Sequence, residues 1–360
     1  MSHAAAFSPD YTAARARFRS SSLALGCALE AHAIEGHGPD GEDLSIDVAR
    51  LGAERARRVV IVSSGLHGVE GFLGSALQAA LLEEHLGGWT PPEGCALVLI
   101  HALNPYGFAW RRRVNEGNVD LNRNFLLPGE AFEGAPPLYG PMDGFFNPKR
   151  RPNPLEPFLL RAVGKIARHG WGALKDTLPV GQYEFPEGLF FGGKAPSASQ
   201  RLLEAHLPRW IDGAEHVLHI DVHSGQGKWG RFILAANHDE GTPRTTWMRG
   251  VYGDAIEAWD PAATLYTIRG GLGRWCAAKF PAIAYDELTA EFGTYATLRV
   301  VQALRDENMA SHHCEPGEPQ LARARARLYE IFAPADAEWR DACVGQGIGV
   351  VQKGIEACFS

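Results

Sequence analysis

His67 and Glu70 are spaced to bind one small cation, because an imidazole and a carboxylate three residues apart in a turn can reach a common position. They directly follow an apolar run, Val59 to Val62, which predicts a buried strand, and residues 71–82 after them predict a helix. Open α/β sheets bind their ligands at the carboxyl ends of such strands. We therefore expect a metal site in this loop.

The pattern H-x-x-E alone does not identify a metal site, since it occurs three times in the chain. The copies that begin at His32 and His312 lie in polar segments interrupted by Gly or Pro. Only the copy at His67 stands between a predicted strand and a predicted helix. An ordinary polar turn is the alternative interpretation of that copy.

Residues 216–223 predict a second strand that supplies a third candidate ligand. Its alternate residues His219, Asp221 and His223 share one face, and His223 is the last residue before a turn. His223 and His67 are therefore expected at the same edge of the sheet. Two imidazoles, a carboxylate and an open position for water are a ligand set of catalytic zinc. A hydrogen-bonded strand-end histidine is the alternative for His223, and His219 is expected to be buried support.

Two other catalytic motifs are excluded by their sequence context. Gly225 to Gly230 has the spacing G-x-G-x-x-G, but residues 231–236 after it predict a strand, whereas a dinucleotide-binding turn opens a helix. No serine stands in a G-x-S-x-G pattern, so a nucleophile-elbow hydrolase is not supported.

Composition limits the class of protein. The chain has 360 residues, a net charge of -7 and a mean hydropathy of -0.17. An acidic balance argues against nucleic acid as the main partner, and no apolar run is long enough to span a membrane. The six cysteines include no C-x-x-C pair, and residues 1–22 lack the apolar core of a secretory signal. We therefore expect a cytoplasmic protein without a membrane partner, and its oligomeric state stays open.

The order of predicted elements favours one α/β domain over residues 1–360. A strand, a helix and a second strand at 95–101 form a crossover unit, which predicts a three-layer α/β/α sandwich with a mixed, mainly parallel sheet. Residues 126–199 are rich in Pro, Gly and aromatic residues and predict an insertion packed on the domain. Helices are also expected over 22–32 and 245–259 and a strand over 282–285, whereas the Gly-rich tail has no predicted structure.

Seven short motifs between about residues 55 and 300 carry a family resemblance. They are H-x-x-E at 67–70, N-P-x-G at 104–107, W-R at 110–111, V-D-L-N-R-N-F at 119–125, D-x-H-S at 221–224, T-x-E at 289–291 and, more loosely, Y-T-I-R-G-G-L-G-R-W at 266–275. In this order they resemble the zinc metallocarboxypeptidases of the carboxypeptidase A type. The aspartoacylase and succinylglutamate desuccinylase group are more divergent relatives, and a separate bacterial branch is the expected position of this chain.

The resemblance implies one Zn²⁺ per chain, bound by His67, Glu70 and His223. Asp120 would accept the other ring N–H of His67, as carboxylates often do for metal-binding imidazoles. Glu291 would be the general base toward water and then the proton donor to the leaving amine. The alternative for Glu291 is a cap on the helix predicted after it.

Four further residues would contact the substrate if the resemblance holds. Arg111 would stabilise the oxyanion, although a run of three arginines is also typical of a solvated surface. Asn122 and Arg123 would bind a terminal carboxylate, for which a guanidinium is geometrically suited. Tyr266 would close over the substrate, or else belong to the core. Arg274, close to Tyr266 in sequence, would line the side-chain pocket and favour an acidic residue.

The expected function is therefore zinc-dependent hydrolysis of an amide bond beside a free carboxylate. A metallocarboxypeptidase acting on C-terminal residues of peptides is the first expectation, and an N-acyl-amino-acid deacylase, which needs the same groups, is the alternative. A non-catalytic binding protein would have lost a ligand or the base, whereas this sequence retains all of them. The long insertion and the sequence Phe-Gly-Thr-Tyr after Glu291 depart from the family pattern.

Overall fold

A computed structural model describes residues 3–259 and 268–360 of the chain. In these residues eight strands form one sheet: β1 (Ala28–His37), β2 (Asp43–Gly52), β3 (Arg58–Ser64), β4 (Cys95–His101), β5 (His216–Ser224), β6 (Phe232–Asp239), β7 (Ile256–Trp259) and β8 (Ala284–Phe292). Their order across the sheet is β1-β2-β4-β3-β5-β8-β6-β7. The long apolar runs of β3, β4 and β5 are buried at its centre, as strands covered on both faces must be.

The sheet is mixed. Strand β3 is parallel to β4 and β5, β5 is parallel to β8, and β6 is parallel to β7. The pairs β1–β2, β2–β4 and β6–β8 are antiparallel. Four of the seven neighbouring pairs are thus parallel, and the predicted mixed, mainly parallel α/β fold class is confirmed.

Twelve α-helices accompany the sheet in the described part of the chain. They are α1 (Tyr11–Ala24), α2 (Gly71–Ala80), α3 (Pro105–Ala109), α4 (Tyr139–Phe146), α5 (Phe158–His169), α6 (Trp171–Lys175), α7 (Ala198–Trp210), α8 (Pro243–Tyr252), α9 (Leu272–Lys279), α10 (Thr297–His313), α11 (Pro319–Phe332) and α12 (Ala337–Phe359).

Helices pack on both faces of the sheet because alternate strand residues point in opposite directions. Val60 and Val62 of β3 belong to a core that contains residues of α2 and α12. Val59 and Ile61 of the same strand belong to the opposite core, with residues of α7 and α9. The central sheet is therefore covered by a helical layer on each side.

The inserted residues 126–199 form a third core against α10 and α11. Phe145 and Phe158 pack there with Val300 and Leu304 of α10. Glu156 accepts hydrogen bonds of 2.8 and 3.0 Å from Arg305 of α10. The insertion is thus fastened to the rest of the chain by apolar packing and by a paired charge.

Three local expectations were wrong or incomplete. The helix expected over 22–32 gives way to α1 and the edge strand β1, because the alternation in residues 28–37 suits antiparallel pairing with β2. The helix expected over 245–259 ends at Tyr252, where Gly253 adopts a φ of 63° and the strand β7 follows. The Gly-rich tail forms α12.

Neither a disulfide nor a membrane-spanning helix occurs in the part of the chain that the structure describes. All six cysteines are free. No helix within residues 3–259 and 268–360 combines the length and the apolar character that crossing a bilayer requires.

Candidate metal centre

The carboxyl ends of β3, β5 and β8 lie side by side and place the candidate chemistry at one edge of the sheet. Ser64 at the end of β3 pairs with Val222 of β5, and His223 pairs with Glu291 of β8. His67 follows β3 by three residues. Parallel pairing therefore brings together groups that are far apart in the sequence.

The loop that carries His67 and Glu70 is held against the turn after β4. Gly68 packs so closely on Gly107 that a Cβ at Gly68 would lie 2.1 Å from the Gly107 carbonyl carbon. Asn104 accepts a hydrogen bond of 2.8 Å from the Gly107 amide and thereby caps α3. The N-P-x-G motif thus supplies the surface on which the loop rests.

His67, Glu70 and His223 converge on one point and are all buried. The Nδ1 atoms of the two histidines are 3.2 Å apart. Glu70 lies with one carboxylate oxygen 3.0 Å from Nδ1 of His67 and the other 3.0 Å from Nδ1 of His223. Each of the three residues therefore offers a ligand atom close enough to the other two for all three to bind one ion.

A second carboxylate holds the far nitrogen of each ring. Nε2 of His67 donates to Asp120 over 3.1 Å, and Nε2 of His223 donates to Asp221 over 2.6 Å. Burial alone would raise the pKa of Asp120, but the charges of Arg113 and His67 bring it well below its usual range. Asp120 is therefore ionised, which orients the Nδ1 lone pair of His67 toward Glu70.

The donor set fits a divalent cation of the zinc type. With both Nε2 atoms engaged as donors, the inner faces of the two rings and Glu70 present only lone pairs to each other, which repel unless positive charge lies between them. Burial would lower the pKa of His223, but Asp221 and Glu70 raise it well above its usual range. A proton on His223 thus offsets the negative charge of the two carboxylates, as a metal cation would. Binding of a metal would release this proton.

Glu291 lies beside this group on β8. One of its carboxylate oxygens accepts a hydrogen bond of 2.8 Å from the Gln226 amide. Burial, together with the negative charge of Glu70, raises the pKa of Glu291 to about 7. A carboxylate that takes up a proton near neutral pH is suited to general acid–base chemistry.

The three consecutive arginines point in three directions. Arg111 adopts a φ of 53°, donates to the Pro9 carbonyl over 3.2 Å and stacks on Tyr329. Arg112 donates to Glu307 of α10 over 2.8 Å. The structure does not bring Arg111 to His67, Glu70 and His223.

Arg113 is the arginine that reaches the candidate centre. It donates to Glu70 and to Asp120, over 3.0 Å in each case. The resemblance singled out Arg111 because it follows Trp110 in the W-R motif. The left-handed conformation of Arg111 redirects the chain, and this is not visible in the residue types.

A cavity of about 390 Å³ opens beside the three candidate ligands and Glu291. Arg113, Asn122, Arg123 and Arg274 also line it. The predicted substrate-binding residues that the structure describes therefore share one cavity with the candidate metal ligands. Tyr266 lies outside the described residues.

Asn122 and Arg123 stand on a short helical turn directly after Asp120. Asn122 accepts a hydrogen bond of 3.2 Å from the Leu272 amide, and Arg123 donates to the Pro179 carbonyl over 2.8 Å. Arg123 is almost completely buried and lies over the ring of Phe190, 5.4 Å from its centroid. The insertion therefore supports the proposed carboxylate clamp.

Glu287 is a cavity residue that the sequence analysis did not identify. It is buried on β8, two residues before Thr289, whose hydroxyl donates to it over 2.9 Å. Burial and the charge of Asp221 raise its pKa to about 8. Together with Glu257 it places acidic groups in the cavity that Arg274 lines. The predicted strand stopped at Tyr285 because charged residues end the apolar run there.

A second group of potential ligands lies away from this centre, at the edge of the sheet. Glu30, His32 and His206 also converge and are half-buried. Both carboxylate oxygens of Glu30 accept hydrogen bonds from Arg209, over 2.7 and 2.6 Å. Because the guanidinium already neutralises that carboxylate, we assign no metal to this group.

Comparison with known proteins finds one family and several distant folds. Residues 7–346 match a family described as "Protein of unknown function (DUF2817)". Among curated proteins, no match was found.

Solved structures similar to the chain include a carboxypeptidase A from Helicoverpa armigera, with 13% identity over 89% of this chain and 73% of that one and a TM-score of 0.48. A putative metallopeptidase from Shewanella amazonensis SB2B has 14% identity over 90% of this chain and 94% of that one, with a TM-score of 0.44. A murein-tripeptide amidase from Escherichia coli O157 has 15% identity over 81% of this chain and 94% of that one, with a TM-score of 0.38. At this level of similarity, what the chain binds must be judged from its own site.

Proposed function

We propose that this chain, which belongs to the DUF2817 family, is a zinc-dependent hydrolase that cleaves an amide bond next to a free carboxylate. The observation that carries the proposal is the convergence of His67, Glu70 and His223. The Nε2 atom of each histidine is hydrogen-bonded to an aspartate, which turns its Nδ1 atom toward Glu70. Two imidazoles and one carboxylate leave a position open for substrate, as in catalytic zinc sites. A metallocarboxypeptidase acting on C-terminal residues of peptides is the reaction that we assign first.

The protein residues have separable tasks in this reaction. Zinc, when bound, supplies a Lewis acid that polarises the scissile carbonyl and acidifies water. Glu291 takes a proton from the attacking water and returns it to the amine nitrogen as the C–N bond breaks. Arg113, which lies against Glu70 and lines the cavity, faces the carbonyl oxygen with a cationic donor and favours the negative charge that develops there.

Asn122 and Arg123 are proposed to hold the free carboxylate of the substrate. Both line the cavity, and Arg123 is kept in place by the Pro179 carbonyl. Arg274 is proposed to line the side-chain pocket, as expected, but Glu287 and Glu257 stand in the same cavity. A side chain that both accepts and donates hydrogen bonds suits this mixed surface better than a purely acidic one.

An N-acyl-amino-acid deacylase is the second candidate, because the apolar wall of the cavity is compatible with an acyl group. Phe146, Phe158 and Ile166 of the insertion form this wall. Such a wall suits an apolar acyl group as well as an apolar peptide residue, because both bury hydrocarbon there.

The test is hydrolysis of matched substrates by metal-loaded and chelator-treated protein. Dipeptides, longer peptides and N-acyl amino acids are compared, each with a free and with an amidated carboxyl end. We expect metal-dependent release of the terminal amino acid from free acids, with peptide substrates favoured by a carboxypeptidase and N-acyl amino acids by a deacylase. Equal hydrolysis with and without metal would contradict the proposal.

A further inference from the structure

Helices α5 and α6 of the insertion, here called the roof helices, expose an unusual amount of apolar surface. Seven large apolar side chains are exposed among the described residues, and five of them stand in or just before these two helices. They are Leu155 (88% exposed), Leu160 (73%), Val163 (55%), Leu159 (50%) and Trp171 (49%). Single exposed apolar residues are common on protein surfaces, whereas a contiguous apolar patch indicates a contact surface.

The apolar stripe of α5 is wider than the protein covers. At about 100° per residue, its apolar positions extend over roughly 200° of the helix circumference. Phe158, Ala162 and Ile166 occupy one part of this arc and line the cavity. Leu159, Leu160 and Val163 occupy the other part and face outward.

Basic residues accompany the exposed stripe. Between residues 149 and 175 the sequence has seven Lys or Arg residues and a single acidic one, Glu156, although the whole chain carries a net charge of -7. The Glu156 carboxylate is paired with Arg305 of α10 and also with Arg150 and Arg161, and Arg151 is paired with Glu318. The segment still keeps an excess of positive charge, because these two carboxylates are fewer than the cations around them. On the same helical projection Arg168 is the cation nearest to the exposed Leu160, whereas Arg161 and Lys165 lie further round the helix and pack over the ring of Phe145.

From this combination we infer, contrary to the composition-based expectation of no membrane partner, that the roof helices bind the surface of an anionic lipid bilayer. A helix with Leu and Val on one side, cations on its polar side and a neighbouring Trp is the pattern of helices that lie in a membrane interface. Leu159, Leu160 and Val163 enter the headgroup region, and Arg168 meets the lipid phosphates. Trp171, which also lines the cavity, lies at the edge of this contact. Pairing with a second copy through this patch is disfavoured, because a two-fold contact would bring the same cations together.

The inference does not depend on the reaction proposed above. Because the inner side of the same helices lines the cavity, a docked roof places the candidate site beside the lipid headgroups.

The experiment is flotation of the full chain with vesicles of phosphatidylcholine alone or mixed in equal parts with phosphatidylglycerol. We expect binding at least about tenfold stronger to the anionic vesicles at low salt, falling as salt is raised. The double variant Leu160→Glu, Val163→Glu is expected to lose at least about tenfold in binding, and Arg168→Glu to weaken it and reduce its salt dependence. Leu23→Glu is the matched control, since Leu23 is 60% exposed on α1.

Circular dichroism and thermal unfolding establish that each variant is folded. Equal partition of the wild type to neutral and anionic vesicles would overturn the inference, as would unchanged binding by the folded double variant. Sedimentation of the wild type gives a further check. If the wild type is a dimer and the double variant is a monomer, the patch is a self-association surface, and this result would also overturn the inference.

Discussion

The Nδ1 atoms of His67 and His223 lie 3.2 Å apart, although 156 residues separate the two histidines in the chain. Parallel pairing of β3 with β5 produces this contact, since His67 follows β3 and His223 is the second-last residue of β5. Asp120 and Asp221 then fix both rings from outside. The arrangement of the two histidines therefore depends on the pairing of the strands and not on the sequence of one loop.

Arg113 and Arg111 provide a matched pair of variants. We expect Arg113→Ala to lower kcat/KM by about 10²-fold or more, because Arg113 is the arginine beside Glu70. Arg111→Ala removes the same charge from a residue that contacts Pro9 and Tyr329, and its kcat/KM should stay close to that of the wild type. Steady-state kinetics with metal content measured in each preparation decides this. A larger loss for Arg111→Ala would restore Arg111 to the mechanism.

Glu291→Gln should retain the fold and bound metal but lose about 10²–10⁴-fold in kcat, since the amide cannot take the proton of water. Burial raises the pKa of Glu291 to about 7, and a bound cation would lower it again. Activity should therefore rise with pH as the carboxylate loses its proton, with half of the maximal kcat/KM between the ordinary value of 4.5 and about 7. Glu287→Gln, a change of another cavity carboxylate, is the control. Near-normal turnover by the Glu291→Gln protein would exclude Glu291 as the base.

A free carboxylate on the substrate should be required. A bidentate Arg–carboxylate contact in a partly closed cavity contributes a few kcal/mol, so amidated peptides should react at least about 10²-fold more slowly. Arg123→Ala is expected to abolish this preference by slowing free acids alone. The ratio of the two rates within one preparation corrects for any loss of folded protein, and Arg274→Ala is the control for a general loss of cationic charge. An unchanged ratio in Arg123→Ala would refute the clamp.

Glu287 should make the stability of the protein depend on pH. Burial raises its pKa from 4.5 to about 8, so between these values the folded protein holds a proton that the unfolded chain has lost. The free energy of unfolding should therefore decrease as pH rises from about 4.5 to about 8. Glu287→Gln should remove this decrease and be more stable than the wild type above about pH 8, by up to a few kcal/mol.

Denaturant unfolding near both ends of this pH range measures the effect. Glu93→Gln changes an exposed carboxylate and is the control. The same pH dependence in the wild type and in Glu287→Gln would show that Glu287 is not the buried acid responsible.

Much of the architecture follows from apolar runs in the sequence. The runs at 59–62, 95–101 and 216–223 are strands in the structure because both faces of a central strand are buried. Residues 28–37 were harder, since Ala, Leu and Glu favour helices locally while tertiary pairing with β2 imposes a strand. In this segment, pairing with the neighbouring strand overrides the local helix propensity.

The candidate site was only partly predictable, for two physical reasons. Arg113 rather than Arg111 reaches Glu70 because one left-handed residue turns the chain, and an arginine carries no sequence signal for that conformation. Glu287 is buried within a strand whose predicted end was Tyr285, because an acidic residue normally marks the surface. Thr289 compensates this burial in part by donating a hydrogen bond to it.

Metal content per chain tests the central claim most directly. We expect purified wild-type protein to bind about one zinc ion, and His67→Ala and His223→Ala to lose most of it, because a three-ligand site loses much of its affinity with one imidazole. His206→Ala, which alters the second group of potential ligands, should retain the ion. One zinc per chain in the wild type, lost in both ligand variants and kept in His206→Ala, is the predicted result. Full zinc occupancy in the folded His67→Ala or His223→Ala protein would contradict the account.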